Sequence, residues 1–347
     1  MSGPRFRFCP SEIIEGAPVR YAVASGLALP LAGGPMAFCA VEAFARGGEH
    51  RFLKIAEAND QPADLQRIAA PRPDWAGFRL DRPLIMGILN VTPDSFSDGG
   101  AFLDPSRAIA HGRAMKAAGA DIIDVGGEST RPGAAPVDPE EEIRRVVPVI
   151  AALAGEGAVV SIDSRRGMVT RAALAAGAKI INDVSALAFD PESMAVARES
   201  GAALVLMHMT GTPATMQDNP VYDDVALDVL EHLEARLAAC EAAGIPRGRI
   251  LVDPGIGFGK RSIEHNLPLL RRVALLHATG CGILVGLSRK AFLGRVSRDE
   301  PASDRLAGSL AGALWCVSQG VQAVRVHDVA ETRQALAVRR AIVSGVS

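Results

Sequence analysis

The five cysteines offer no basis for a bridge or a metal knuckle. Cys9, Cys39, Cys240, Cys281 and Cys316 are scattered along 347 residues and form no CxxC pair. This argues against structural zinc and against a disulfide framework, and it favours a reducing compartment; the cytoplasm is the expected location. Charge of one sign is lacking too. With 37 basic and 39 acidic residues the formal net charge is −2, which leaves no electrostatic footprint for nucleic acid or a membrane surface. Any anionic ligand must be held by local basic groups. A complete nucleotide loop is also missing. DPGIGFGK, residues 253 to 260, has Pro254 where a Walker loop needs Gly and Arg261 where it needs Ser or Thr. Lys260 stands where the dinucleotide fingerprint needs its third Gly. One uncharged run, residues 21 to 41, contains two prolines and three glycines. Its modest hydrophobicity points to part of a small N-terminal subdomain rather than a membrane span or leader.

What is present reads as a soluble α/β protein. Apolar residues make up 48% and charged residues 22%, and the length suits one large α/β barrel or two ordinary domains. From about residue 82 short β-rich apolar runs recur at 84–89, 122–125, 158–162, 179–181, 203–207, 250–252, 282–287 and 321–326. Between them lie stretches with helical spacing, such as 105–118, 139–152, 222–243 and 305–319, several closed by glycine at 119, 177, 244 and 320. This alternation predicts a (β/α)8 TIM barrel over residues 81–347, preceded by an accessory extension over residues 1–80 that covers part of the barrel. A doubly wound sheet is the structural competitor.

A barrel demands chemistry just after the C-terminal ends of its strands. The eight runs end in Asn90, then Gly126 to Arg131, Asp163, Asn182-Asp183, His208, Asp253, Ser288-Arg289-Lys290 and Arg325-Val326-His327. Any one polar strand end is ordinary; eight with this mixture make an enzyme-like face. Asp163, Asn182 and Asp253 suit a flat heterocycle with an amino-lactam edge, and Lys290 supplies a donor for its ring carbonyl. Taken singly, each acid reads rather as a helix cap or half of a salt bridge. Thr130, Arg131, Arg325 and His327 form an anion-binding set, although a lone His327 also reads as a core histidine. Asn90 offers one neutral oxygen to a Mg²⁺ shared with a ligand's phosphates.

Seven segments carry a resemblance: MGILNVTPDSFSDGG, DIIDVGGESTRPGA, IINDVSAL, LMHMTGTPATMQ, LVDPGIGFGK, LVGLSRKAFLG and RVHDV. Together they resemble the dihydropteroate synthases over residues 82 to 343, with residues 1 to about 80 outside the likeness. The resemblance implies condensation of 6-hydroxymethyl-7,8-dihydropterin diphosphate with 4-aminobenzoate to give 7,8-dihydropteroate and pyrophosphate. It would place Asp163, Asn182, Asp253 and Lys290 on the pterin, in a slot lined by Met207 and Phe258. Thr130, Arg131, Arg325 and His327 would hold the diphosphate, with Asn90 on Mg²⁺. The aminobenzoate would lie between Phe96 and Pro132, its carboxylate near Ser288 and the following helix N-terminus. Phe96, alone among polar residues after the first strand, would thus await the second substrate's ring, on a loop that closes together with residues 129–133.

The implied mechanism lets C–O cleavage run ahead of attack by a neutral aryl amine. Arg325, His327, Arg131 and Lys290 are the expected catalytic groups, with Asp98 steadying the cation or taking the amine proton. The family's usual homodimer is expected, with the small-residue helix at 306–315 as a contact, and so is sensitivity to sulfonamides. Two readings compete. A pterin-binding methyltransferase domain shares Asp163, Asn182 and Asp253 but has no use for Ser129-Thr130-Arg131 or for Ser288-Arg289-Lys290. A non-catalytic pterin-binding protein predicts lost ligands, whereas every matched position here is filled. Mild departures occur at Ser164 and at residues 184 to 187.

Overall fold

The computed structural model describes residues 6–55, 57, 62–92, 105–129, 136–212 and 215–345. An antiparallel sheet comes first: β1 (Arg7–Glu15), β2 (Leu29–Pro30), β3 (Met36–Phe44) and β4 (His50–Lys54), with helices α1 (Pro18–Ala24) and α2 (Pro62–Ala69). β3 pairs with all three other strands. The uncharged run at 21–41 is divided between α1, β2 and β3, and no helix among the described residues is long and apolar enough to cross a membrane.

The remaining eight strands close into a parallel barrel: β5 (Leu84–Asn90), β6 (Ile122–Gly126), β7 (Val160–Asp163), β8 (Ile180–Asp183), β9 (Ala203–Met207), β10 (Ile250–Asp253), β11 (Gly282–Val285) and β12 (Ala323–Val326). Around it run α3 (Pro105–Ala117), α4 (Pro139–Gly155), α5 (Gly167–Ala175), α6 (Ser193–Ser200), α7 (Val225–Ala242), α8 (Asn266–Arg271), α9 (Ala291–Val296), α10 (Leu306–Ser318) and α11 (Val329–Ser344). The expected (β/α)8 barrel is present and the doubly wound sheet is excluded. One connection departs from strict alternation, since β11 and β12 are joined by two helices, α9 and α10.

Local chemistry explains the longest helices. The carboxylate of Asp138 accepts from the Glu140 backbone N–H at 3.0 Å, Pro139 follows it, and three glutamates fill the first turn of α4. Asp224 caps α7 by accepting from the N–H groups of Ala226 and Leu227. At the tight turns into β6 and β8, Gly119 and Gly177 take φ of +99° and +108°, which a side chain would strain.

Period-two alternation then builds a layered interior. Leu84, Met86, Ile122, Ile180, Ala203, Val205, Leu251, Leu284 and Ala323 point inward and form one apolar cluster, closed from below by Trp75. The indole of Trp75 is buried and donates to the Arg249 carbonyl at 3.0 Å. One or two inward positions further along most of the strands the residues turn polar, while β9 continues with Met207, and the site begins there.

The N-terminal sheet shares its core with the barrel. Phe8, Phe38, Val41, Leu65 and Ile68 belong to the same buried cluster as Leu230, Leu233 and Leu237 of α7 and Val273 and Leu276 of the following 3-10 segment. Ion pairs rim the contact: Arg7 with Glu234 and Arg46 with Glu231, both on α7, and Glu15 with Arg339 on α11. Arg72 donates to the carbonyls of His277 and Cys281 beneath the barrel. Deleting residues 1–78 would therefore expose a continuous apolar face on α7 and is expected to give aggregating protein. Trp75→Ala should lower stability by about 3–5 kcal/mol, read as a reduced urea midpoint. A soluble deletion variant with the full-length urea midpoint would contradict this packing.

Candidate active site

At the barrel mouth the inward side chains of β6, β8, β10 and β12 follow apolar inward residues, Ile122, Ile180, Leu251 and Ala323, whereas on β7 Asp163 follows the buried Ser161. On β6, Ile122 and Asp124 share the inner face while Ile123 and Val125 pack outward on the helices. By the same parity Asp163, Asn182, Asp253 and Arg325 point in. Register sets them side by side: Asp163 faces Asn182 across β7 and β8, and Asp124 of β6 lies opposite Ser161 of β7.

Arg325 links these acids. Its Nε donates to Asp124 Oδ2 at 2.6 Å and its Nη2 to Asp163 Oδ2 at 2.7 Å. Asn182 Nδ2 donates to the same Asp124 oxygen at 3.0 Å. Asp124 is 0% exposed and the Arg325 side chain 20%, so this is a desolvated network rather than a surface pair. Burial pushes Asp163 up to about 7, with Arg325 pulling it down and Asp124 pushing it further up. Asp253 is likewise raised by burial, while the Gly255 N–H that donates to it at 2.7 Å opposes the rise.

Lys290 stands at the start of α9 and donates to the Ile256 carbonyl, with its ammonium 4.2 Å from the Phe258 ring centroid. Burial lowers it to about 7; Asp253 opposes that fall and Arg325 adds to it. Ser288 Oγ lies 3.0 Å from His327 Nδ1 and accepts from the His327 backbone N–H at 3.2 Å. Asn90 ends β5 paired with Gly126, half-buried at the mouth. Met207, buried, ends β9 opposite Asp253. Asp183 turns away from the mouth. Its carboxylate accepts from Ser185 N, Ser185 Oγ and Leu187 N, fixing a turn in which Ala186 and Leu187 take φ of +53° and +59°.

The structure thus brings together Asp163, Asn182, Asp253, Lys290, Arg325, Phe258 and Met207, with Ser288, His327 and Asn90 on neighbouring strand ends. Phe96, Asp98, Thr130, Arg131 and Pro132 lie outside the described residues. Sequence reasoning passed over two groups. Asp124 escaped because it sits inside a strand rather than at its end; a carboxylate in the apolar run IIDVG was the available signal. Lys260 was weighed only as a failed fingerprint position. It is buried, and its ammonium donates to the carbonyls of Gly255 and Phe258 at 2.9 and 3.0 Å and lies 2.9 Å from His208 Nδ1. The close approach permitted by the loop's glycines is to the chain itself. A Cβ at Gly255 would stand 1.9 Å from the His208 carbonyl oxygen, and one at Gly259 2.1 Å from Thr210 Oγ1.

A profile of the pterin binding enzymes matches residues 86–327. The chain belongs to this family. The Escherichia coli (strain K12) dihydropteroate synthase is 48% identical over 266 residues, 76% of this chain and 93% of that protein. A Xanthomonas albilineans dihydropteroate synthase solved with 4-aminobenzoic acid superposes with a TM-score of 0.73 at 46% identity, covering 78% of this chain and 98% of that one. The same organism's enzyme in complex with 7,8-dihydropteroate gives a TM-score of 0.71 at 44% identity, over 78% and 98%. The N-terminal sheet lies before the stretch matched by the family profile.

Asp163 and Lys290 at the barrel mouth make opposite contributions to stability against pH. Asp163 holds a proton in the folded state between its ordinary 3.8 and about 7, so its contribution is lost as pH rises across that window. Lys290 lacks a proton between about 7 and its ordinary 10.5, so its contribution grows as pH rises there. Asp163→Asn should flatten the melting-temperature profile between pH 4 and 7 relative to wild type. Parallel profiles for the two proteins would show that Asp163 does not titrate there.

Proposed function

We infer that this chain catalyses the dihydropteroate synthase reaction, joining 6-hydroxymethyl-7,8-dihydropterin diphosphate to 4-aminobenzoate. The bond from the pterin's methylene carbon to the diphosphate oxygen breaks, and its electron pair leaves on pyrophosphate. The amine nitrogen's lone pair forms the new C–N bond and the nitrogen then loses a proton, giving 7,8-dihydropteroate. The observation that carries this reading is the largely buried acceptor layer of Asp163, Asn182 and Asp253 beside Lys290, in a chain 48% identical to a synthase over 93% of that protein.

Each group has a physical task. Asp163, Asn182 and Asp253 accept from the amino and ring N–H donors of the pterin edge, and Lys290 donates to its carbonyl. Phe258, already under the Lys290 ammonium, and Met207 give the flat ring an apolar wall. Arg325 holds Asp124 and Asp163 through Nε and Nη2, leaving Nη1 for the departing diphosphate. His327, braced by Ser288, follows Arg325 at the end of the same strand to bind the same anion. Thr130 and Arg131 join the diphosphate set, Phe96 and Pro132 flank the aminobenzoate ring, and Asp98 steadies the cation or takes the amine proton.

Asn90 fits the single oxygen that a Mg²⁺ shared with diphosphate requires of the protein, and no cage of three or more His, Cys, Asp or Glu exists among the described residues. Bound there, the ion would neutralise charge on the leaving pyrophosphate. The five unpaired cysteines suit a reducing cytoplasm. Exposed Trp315 on α10 and exposed Val338 and Ile342 on α11 offer an apolar surface for a homodimer contact.

Purified protein given dihydropterin diphosphate, Mg²⁺ and 4-aminobenzoate should release pyrophosphate only when the amine is present, with equimolar dihydropteroate by mass. Release without aminobenzoate dependence would refute the assignment. A sulfonamide, as an aminobenzoate mimic, should inhibit competitively against that substrate; an uncompetitive pattern would remove it from the site. Arg325→Ala should lower turnover at least ~100-fold. It should also cost about 3–5 kcal/mol of stability, because two buried carboxylates lose their cation. Near-normal turnover in a folded variant would exclude Arg325 from the chemistry.

A further inference from the structure

Asp124 is fully buried on β6, inside the barrel rather than at its mouth, and one oxygen carries both of its side-chain contacts. Oδ2 receives Arg325 Nε and Asn182 Nδ2; Oδ1 is buried without a hydrogen-bond partner among the described residues. An unsatisfied buried acceptor costs stability, so a role confined to stability does not account for the carboxylate. Its effect on Asn182 does. A carboxylate accepts and an amide has one donor end, so Asn182 must turn its nitrogen to Asp124 and leave Oδ1 for something else. No described residue donates to that oxygen.

We propose that Asp124 is a positioning residue for the pterin ring: it fixes the Asn182 amide with its oxygen offered as an acceptor and holds Arg325 between the acids. This rests on the reaction assigned above. An amino-lactam edge presents donors, and an amide free to turn over would meet them with its own NH₂ for part of the time. Asp124 thus selects a donor-bearing ring without needing to touch it. The polar layer meets the pterin as a fixed row of acceptors, Asp163, Asn182 and Asp253, with Arg325 and Lys290 as its cations.

The test compares Asp124→Asn with the exchanged pair, Asp124→Asn combined with Asn182→Asp. Dihydropterin diphosphate binding is measured by calorimetry with Mg²⁺, and KM for 4-aminobenzoate by pyrophosphate release. The single variant can donate to Asn182 and turn its amide over, so the dissociation constant for dihydropterin diphosphate should rise at least ~10-fold, the scale of one lost hydrogen bond to a buried site. KM for 4-aminobenzoate should change by less than about twofold, since that ring lies outside the network. In the exchanged pair the position-124 amide donates to a carboxylate at 182 and still accepts from Arg325. Pterin affinity should then return to within about threefold of wild type.

A single variant with wild-type pterin affinity, equal losses for both substrates, or an exchanged pair no better than the single variant would each overturn the proposal. If Asp124→Asn alone is insoluble, the exchanged pair decides; its insolubility would assign Asp124 to stability and overturn the positioning role. Wild-type protein that binds no dihydropterin diphosphate would overturn the reaction assignment and the Asp124 role together. Wild-type binding beside an unaffected variant overturns the Asp124 role alone.

Discussion

A single guanidinium spanning two buried carboxylates is the interaction on which the site depends. Three acidic side chains, Asp124, Asp163 and Asp253, meet inside a barrel whose lower half is hydrocarbon sealed by Trp75. Without Arg325 their mutual repulsion and lost hydration would favour protonation or rearrangement. With it, Asp124 and Asp163 are held at hydrogen-bond distance and the Asn182 amide is oriented from behind. The burial of Asp124 and Asp163 and the geometry of the acceptor row therefore share one cation.

The support for that layer is indirect and extends far from the mouth. The 253–260 loop carries Asp253 and Phe258 and is tied down from inside by Lys260, whose ammonium bridges loop carbonyls and His208. Burial holds the Lys260 pKa well below its ordinary value. On the outer side, α7 is pressed between the barrel and the N-terminal sheet, and Arg236 of α7 donates to the Ala186 carbonyl in the turn after β8. The N-terminal sheet is thus joined through packed helices to the strands that present Asn182 and Asp253, although it contributes no side chain to the site described above.

Much of this was legible in the chain. The alternation of apolar runs and glycine-closed helical stretches predicts the barrel, because period and turn chemistry are local properties. Polar residues after the runs identify the working face. Asn182, Asp163, Asp253, Lys290 and Arg325 lie at or beyond the C-terminal ends of the barrel strands. The division of labour within that face was harder to read. Asp183 and Asn182 are adjacent and look alike in sequence, yet one caps its own turn and the other enters the network. Asp124 was passed over because a mid-strand carboxylate gains meaning only when its inward neighbours are known. The extension before residue 81 showed apolar content but not where it is buried, since its partners on α7 lie more than a hundred residues away.

The sequence by itself determined the strand parity, the helix caps and the chemical inventory at the barrel mouth, all of which follow from neighbours a few residues apart. The tertiary structure alone decided which oxygen faces which donor. Asp124 and Asn182 are 58 residues apart and Asp124 and Arg325 are 201 apart. Only closure of the barrel, by pairing β12 with β5, brings the β12 guanidinium within reach of the β6 carboxylate. Hydrogen-bond geometry is sharp to a few tenths of an ångström, and no local pattern encodes it over such separations.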